Sequence, residues 1–185
     1  MDNQQERVIR ERDIAWMAGF LDGEGSFMIQ ISQEGKSRGI RYRPKVTVVN
    51  THEPSIQWCA RLFEQMGVGA HVNPVLRARL PQHRQTWHIQ VNGHKRCLTL
   101  LNHVEEYLVT KRLQASVLRE FIEWCLTLPM NWRSEADHDK AVEYAKRLSF
   151  LNTGTEIGKR NTILRGRMLN AQASDVMAQQ AAKAP

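Results

Sequence analysis

The chain has 185 residues, 42% of them hydrophobic, enough for one domain with a small appendage. Its formal charge is +7 and its pI about 9.7. No apolar run approaches the ~18 residues of a membrane span, and the polar opening MDNQQERVIRERD has no secretory core.

Asp13 reads as the N-cap of a helix from Ile14 to about Asp22, stopped by Gly23 or Gly25. Ala15, Ala18 and Gly19 lie at i, i+3 and i+4 on this helix, a stripe of little bulk that a partner backbone could approach closely. Its end carries two acids, Asp22 and Glu24. A helix C-terminus is already partly negative, so each is unfavourable there by roughly 0.3–1 kcal/mol when exposed, and a positive group is expected nearby.

Period-two alternation follows. Phe27, Ile29 and Ile31 face one way, and Ser26, Met28, Gln30 and Ser32 the other. A tip with Gly35 and Gly39 leads to a strand in which Ile40, Tyr42, Pro44, Val46 and Val48 alternate with Arg41, Arg43, Lys45 and Thr47. Pro44 has no N–H for a ladder, which favours an edge or a bulge. A helix over about 55–66 buries Cys59, Leu62, Phe63 and Met66. A second hairpin alternates Leu76, Ala78 and Leu80 with Arg77 and Arg79, then Trp87, Ile89 and Val91 with Thr86, His88, Gln90 and Asn92. Helices are expected over about 94–108 and 111–126, and again after an N-cap at Ser134. LNTGTEIGKRNT, with Lys159 and Arg160, reads as a basic loop, and 171–185 as a helical or disordered tail beyond a single domain of 1–170. Cys59, Cys97 and Cys125, an odd set without metal spacing, read as buried thiols in a reducing compartment.

The charge is segregated. Residues 35–52 hold Lys36, Arg38, Arg41, Arg43 and Lys45 with no acid; residues 65–104 hold Arg77, Arg79, Arg84, Lys95 and Arg96 with none. One sheet face therefore reads as polar and cationic, a surface for a polyanion, while the other must be covered by helices. Arg and Lys on a two-stranded ribbon can read guanine in the DNA major groove, and Gln can read adenine. There is no P-loop, HExxH, zinc spacing or EF-hand.

MAGFLDGEG, residues 17–25, resembles the LAGLIDADG motif of homing endonucleases, with Met17 for the first Leu and Glu24 at the second acidic position. NTHEPSIQW, MGVGA and TKRLQAS are similar to small single-motif members, and the likeness covers roughly residues 12–170. It implies an α+β, αββαββα fold with a concave antiparallel sheet for DNA and extra C-terminal helices. With one motif per chain it implies a homodimer packed through Ala15, Ala18 and Gly19, with Asp22 capping the helix or joining that interface. It further implies hydrolysis of one phosphodiester in each strand of a long, pseudo-palindromic DNA site, across the minor groove, leaving 3′ overhangs. Mg²⁺ or Mn²⁺ would be held by Glu24 and the Gly23 carbonyl. His52 stands where such members carry a polar residue, often Gln, that orients water; this is a departure. Lys111 matches a lysine near the scissile phosphate. DNA contacts would come from Ser26, Met28, Gln30, Ser32, Arg38, Arg41, Arg43, Lys45, Thr47, Arg77, Arg79, Arg84, Thr86, His88, Gln90, Lys159 and Arg160. Expected surroundings are a prokaryotic cytoplasm or an organelle matrix. A non-cleaving relative of the same fold, an intron RNA maturase or a transcriptional regulator, is the alternative, and an unrelated basic interaction domain a third.

Overall fold

A computed structural model describes residues 9–33, 40–75, 84–129 and 134–154. The elements run α1 (Glu11–Glu24), β1 (Gly25–Gln33), β2 (Ile40–Asn50), α2 (Glu53–Gln65), β3 (His71–Pro74) and β4 (Trp87–Asn92). Then come α3 (His94–Val104), a 3₁₀ turn (Glu105–Tyr107), α4 (Arg112–Thr127) and α5 (Glu135–Thr153). The αββαββα order with added C-terminal helices is the expected one.

Among the described residues the strands form one antiparallel sheet in the order β1-β2-β4-β3. The strand period of two puts Phe27, Val46, Ile89 and Val91 on one face, where they are buried with Met17, Ala18 and Leu21 of α1 and Ile56, Cys59, Leu62 and Phe63 of α2. Residues of α3 and α4, including Leu100, Leu101, Leu118, Phe121 and Ile122, complete this core. Among the described residues the helices thus take the apolar face and leave the other open, the layering that a half-apolar sheet requires. All three cysteines are free and buried, and burial pushes each thiol up to about 12. No helix among the described residues is long and apolar enough to cross a membrane.

Several boundaries differ from the sequence reading. The first helix begins at Glu11 with Arg10 at its N-cap, because the N–H groups of Asp13 and Ile14 bond the Arg10 carbonyl at 2.8 and 3.2 Å. Asp13 sits inside the first turn and accepts from Arg10 Nε at 3.0 Å. Pro44 lies in β2, a central strand, and not on an edge. The Pro44 carbonyl accepts from the Gly93 N–H at 3.1 Å, and a strand residue's N–H and C=O point to the same side. The missing N–H therefore faces the β4 side just where that ladder ends, at Lys45↔Asn92, and costs β1 nothing. The third strand is described at His71–Pro74, ahead of the expected alternation at 76–80, which lies outside the described residues. The helix expected over 94–108 stops at Val104 and finishes as the 3₁₀ turn.

Ser134 caps α5 as expected, its Oγ accepting from the Asp137 N–H at 3.1 Å. The helix runs through Leu151–Thr153, expected as loop, and ends at Gly154, whose φ of +69° is a left-handed conformation suited to glycine. Asn152 Nδ2 donates to the Phe27 carbonyl at 2.7 Å, so α5 satisfies an acceptor on edge strand β1.

At the junction of α1 and β1, a Cβ on Gly25 would lie 2.5 Å from the Leu21 carbonyl oxygen and 3.0 Å from the Leu21 Cα, both backbone atoms that cannot swing away. Gly25→Ala is therefore expected to destabilise the protein by about 1–3 kcal/mol. Denaturant unfolding measures this; an unchanged midpoint would show that the junction relaxes freely.

Candidate active site and nucleic-acid interface

The positive group expected at the end of α1 is Lys111, which stands just before α4. Its Nζ donates to the carbonyls of Leu21 at 3.0 Å and Gly25 at 2.6 Å. Burial lowers the pKa of this ammonium below the usual lysine range, outweighing the upward pull of the Asp22 and Glu24 charges. Asp22 answers from the other side. Its Oδ1 accepts from the Lys111 N–H at 2.9 Å and its Oδ2 from the Val109 N–H at 2.7 Å, while Thr110 Oγ1 donates to the Asp22 carbonyl at 3.4 Å. Burial alone would raise the Asp22 carboxyl; the backbone N–H groups of Val109 and Lys111, with Thr110, overcome it and hold the pKa below the usual carboxylate value. Asp22 was expected to cap its own helix or join an interface. Both of its oxygens are instead engaged within the chain, at the start of a different helix.

Glu24 differs. It is exposed and makes no hydrogen bond or ion pair among the described residues. The Gly23 backbone beside it is exposed as well. No group of three or more His, Cys, Asp or Glu that could hold a metal is found among the described residues. Glu24 and the Gly23 carbonyl offer hard oxygen donors, the type that magnesium and manganese prefer, but too few of them for a closed site within one chain. His52 leaves β2 at the same end of the sheet, since Gly25 pairs with Val48. Its N–H bonds Asn50 Oδ1 and its Nδ1 lies 2.8 Å from Ser55 Oγ, which fixes the ring and leaves Nε2 for another partner.

On α1, Ala15 and Gly19 are exposed and Gly23 continues their row, with no atom within 4 Å of a Cβ built on either glycine. Ala18 does not belong to this stripe. It is fully buried in the chain's own core at 0% exposure, one helical step round from Ala15 and Gly19. Trp16 flanks the stripe and stacks on Phe20 with ring centroids 5.0 Å apart.

The open sheet face is ordered in rows by the strand register. Nearest the end of α1 stand Val49, His88 and Asn73; next come Ser26, Thr47, Gln90 and His71; then Met28, Lys45 and Asn92; then Gln30 with Arg43, and Ser32 with Arg41. Of these, Ser26, Met28, Gln30, Ser32, Arg41, Arg43, Lys45, Thr47, His88 and Gln90 are the residues that alternation assigned to one face, and the register places them on it. Thr47, in the middle of the sheet, is only 7% exposed, so its short side chain is covered rather than presented. Burial lowers the Lys45 and His88 pKa values, and the Lys45 charge lowers His88 further. Gln90 Nε2 lies 2.9 Å from His88 Nδ1; an amide nitrogen only donates, so Nδ1 accepts and the neutral ring keeps its proton on Nε2. Arg84 and Thr86 lie just ahead of β4. Arg38, Arg77, Arg79, Lys159 and Arg160 lie outside the described residues. His71, Asn73 and Asn92 were not among the expected contacts. The alternation His71–Val72–Asn73 was a usable signal for the first two, overshadowed by the arginines that follow.

The LAGLIDADG endonuclease family matches residues 17–125. The homing endonuclease I-CvuI, solved on the I-CreI target with magnesium and uncleaved DNA, has the same fold, with a TM-score of 0.60 and 23% identity over 83% of this chain and 89% of that one. The archaeal intron-encoded homing endonuclease I-Vdi141I, complexed with DNA, gives 0.60 and 19% over 90% and 98%. I-SmaMI, a LAGLIDADG homing endonuclease bound to cleaved DNA, gives 0.61 and 16% over 88% of this chain but 49% of its own. No curated protein sequence matches.

The hydrogen bonds to Asp22 set part of the stability against acid. A carboxyl whose folded pKa is depressed stabilises the fold above its unfolded value, near 3.8, and loses that contribution as pH falls through the lower folded value. The stability gap between wild type and Asp22→Ala is thus expected to be about 1–3 kcal/mol at neutral pH and to close as pH drops below that value. Unfolding curves from pH 2 to 7 measure it; a gap independent of pH would mean that the charge on Asp22 contributes nothing.

Proposed function

The chain belongs to the LAGLIDADG endonuclease family, and from that premise we propose that it is a site-specific DNA endonuclease of the homing type. It binds a long, pseudo-palindromic duplex as a homodimer and hydrolyses one phosphodiester in each strand across the minor groove, leaving 3′ overhangs. The observation that carries this reading is the unequal use of two acids at one helix end. Asp22 is consumed by the chain's own backbone, whereas Glu24 stands exposed beside the Lys111 ammonium, with no hydrogen bond or ion pair among the described residues.

Glu24 and the Gly23 carbonyl would hold magnesium or manganese together with their copies from a second chain and DNA oxygens. When bound, the metal supplies Lewis-acid polarisation of the phosphate and a water of lowered pKa. The chain's own residues do the rest. His52, fixed through Nδ1 by Ser55, uses Nε2 to orient the attacking water. Lys111 faces the scissile phosphate, where an ammonium stabilises charge developing on oxygen. Further out, Gln30, Arg41, Arg43, Lys45 and Gln90 face base edges and phosphates. From Gly25 to Ser32 the sheet reaches ~24 Å at a strand rise of ~3.4 Å per residue, the length of about seven base pairs. Two such faces suit a long site.

One metal-binding acid per chain suits one strand, so two copies are needed for both. The chain covers 89% of I-CvuI but half of I-SmaMI, which fits a unit that is doubled either by pairing or by covalent repetition. The exposed stripe of Ala15, Gly19 and Gly23 supports close helix contact between copies. Gly19→Leu fills open space in the single chain, so the fold is expected to stand while the dimer splits. Sedimentation showing an unchanged dimer would place the interface elsewhere.

Glu24→Gln preserves size and removes charge. Plasmid cleavage with Mg²⁺ is expected to fall at least about 10²-fold, while DNA binding in Ca²⁺ survives or tightens as a negative charge leaves the phosphates. Near-normal cutting would remove Glu24 from the active site.

A further inference from the structure

We propose that Asp22 is a positioning residue for Lys111. By gripping the start of α4 it sets the lysine ammonium at the end of α1, beside Glu24, before DNA arrives. The inference rests on the reading of Lys111 as the group that faces the scissile phosphate.

A lysine side chain is four methylenes long and, left free, spreads its charge over many rotamers. Two features of the structure prevent that here. The backbone of Lys111 is tied down by Asp22, whose two oxygens take the N–H groups of Lys111 at 2.9 Å and Val109 at 2.7 Å. The side chain is tied at its far end, where Nζ meets Leu21 O at 3.0 Å and Gly25 O at 2.6 Å. The lysine is fixed at both ends to the same stretch, residues 21–25, that carries Glu24. An ammonium has three N–H donors. Two are spent on the carbonyls of Leu21 and Gly25, so one remains to donate to a phosphate oxygen without surrendering the others. A cation held this way needs no reorganisation when charge develops, which is where electrostatic catalysis gains most.

The arrangement also accounts for the identity of residue 22. A hydroxyl or a single amide oxygen could accept one of the two backbone N–H groups with ease, but only a carboxylate presents two equivalent oxygens to both. An interface role alone would not require either bond.

The test is a double-mutant cycle on single-turnover cleavage, with enzyme saturating and every variant checked for folding, dimerisation and DNA binding in Ca²⁺. The DNA is a site selected from a plasmid library by the wild type. Lys111→Ala is expected to lose about 10²–10³-fold and Asp22→Ala on the order of 10²-fold, both with unchanged binding. Asp22→Asn, which keeps one acceptor oxygen, falls between Asp22→Ala and wild type and serves should the alanine variant fold poorly. The double variant should cut no more slowly than Lys111→Ala alone, because Asp22 has nothing left to place. Losses that multiply would overturn the inference, showing that Asp22 acts independently. Wild-type cutting by Lys111→Ala would also overturn it; if Glu24→Gln is then still inactive, the endonuclease reading stands without it. A readout free of activity is the ¹⁵N ammonium signal of Lys111, protected from exchange in the free wild type. Its persistence in Asp22→Ala would count equally against the proposal.

Discussion

Two helix ends of opposite polarity meet in this protein, and the remainder of the site is arranged around their exchange. The C-terminus of α1 is electronegative and the start of α4 electropositive. Each end sends the other what it lacks. Lys111 donates to the carbonyls of the buried residues Leu21 and Gly25, and Asp22 accepts the backbone N–H groups that precede α4. An acid that stands at the wrong end of its own helix is thereby at the right end of another. Because Gly25 is both the end of α1 and the first residue of β1, the same contact sets where the sheet begins relative to the two helices. Glu24 lies between the fixed residues 22 and 25, yet its own carboxylate has no partner among the described residues.

What the sequence disclosed divides by range. The period-two patterns of β1, β2 and β4, the small residues Ala15 and Gly19 of α1 and the Ser134 cap are short-range signals, and the fold places them as read, while the alternation at 76–80 lies outside the described residues. The α1–α4 exchange joins residues 89 apart and leaves no spacing to detect. The need for a cation near Asp22 and Glu24 could be inferred from the helix dipole, but not which of 26 lysines and arginines would supply it. Ala18 shows the same limit at shorter range. Residues at i+3 and i+4 from Ala15 flank one stripe on either side, and composition cannot say which of them turns inward. Packing decides, and it buries Ala18 with Met17 and Leu21.

The sheet teaches a related lesson. Alternation assigns residues to a face, but only register assigns them to rows, and rows determine which side chains stand beside one another on the open face. His71 and Gln90 are opposite each other, as are Gln90 and Thr47, and Thr47 and Ser26. That row could not be assembled without knowing that β4 and not β3 lies next to β2. The same order made Pro44 tolerable in a central strand, because its missing donor faces the end of the β4 ladder. A rule about proline in sheets held in its physics, the lack of an N–H, while its usual corollary about edges did not.

The glycines around the motif separate what one chain needs from what it does not. Gly25 is demanded by the chain itself, since a Cβ there would strike the Leu21 carbonyl at 2.5 Å. Gly19 and Gly23 face open space on an exposed helix surface, with helical backbone that alanine adopts readily and at lower entropic cost. Nothing among the described residues of one chain calls for glycine at either position. A second α1 packed against the first would, because close helix approach requires the absence of a Cβ along the contact line. The same packing would bring Glu24 toward its copy and concentrate negative charge at one point. With the Lys111 ammonium already bonded on the flank of each helix end, the balance between two such copies would be left to a divalent cation and to the phosphate oxygens of the proposed DNA.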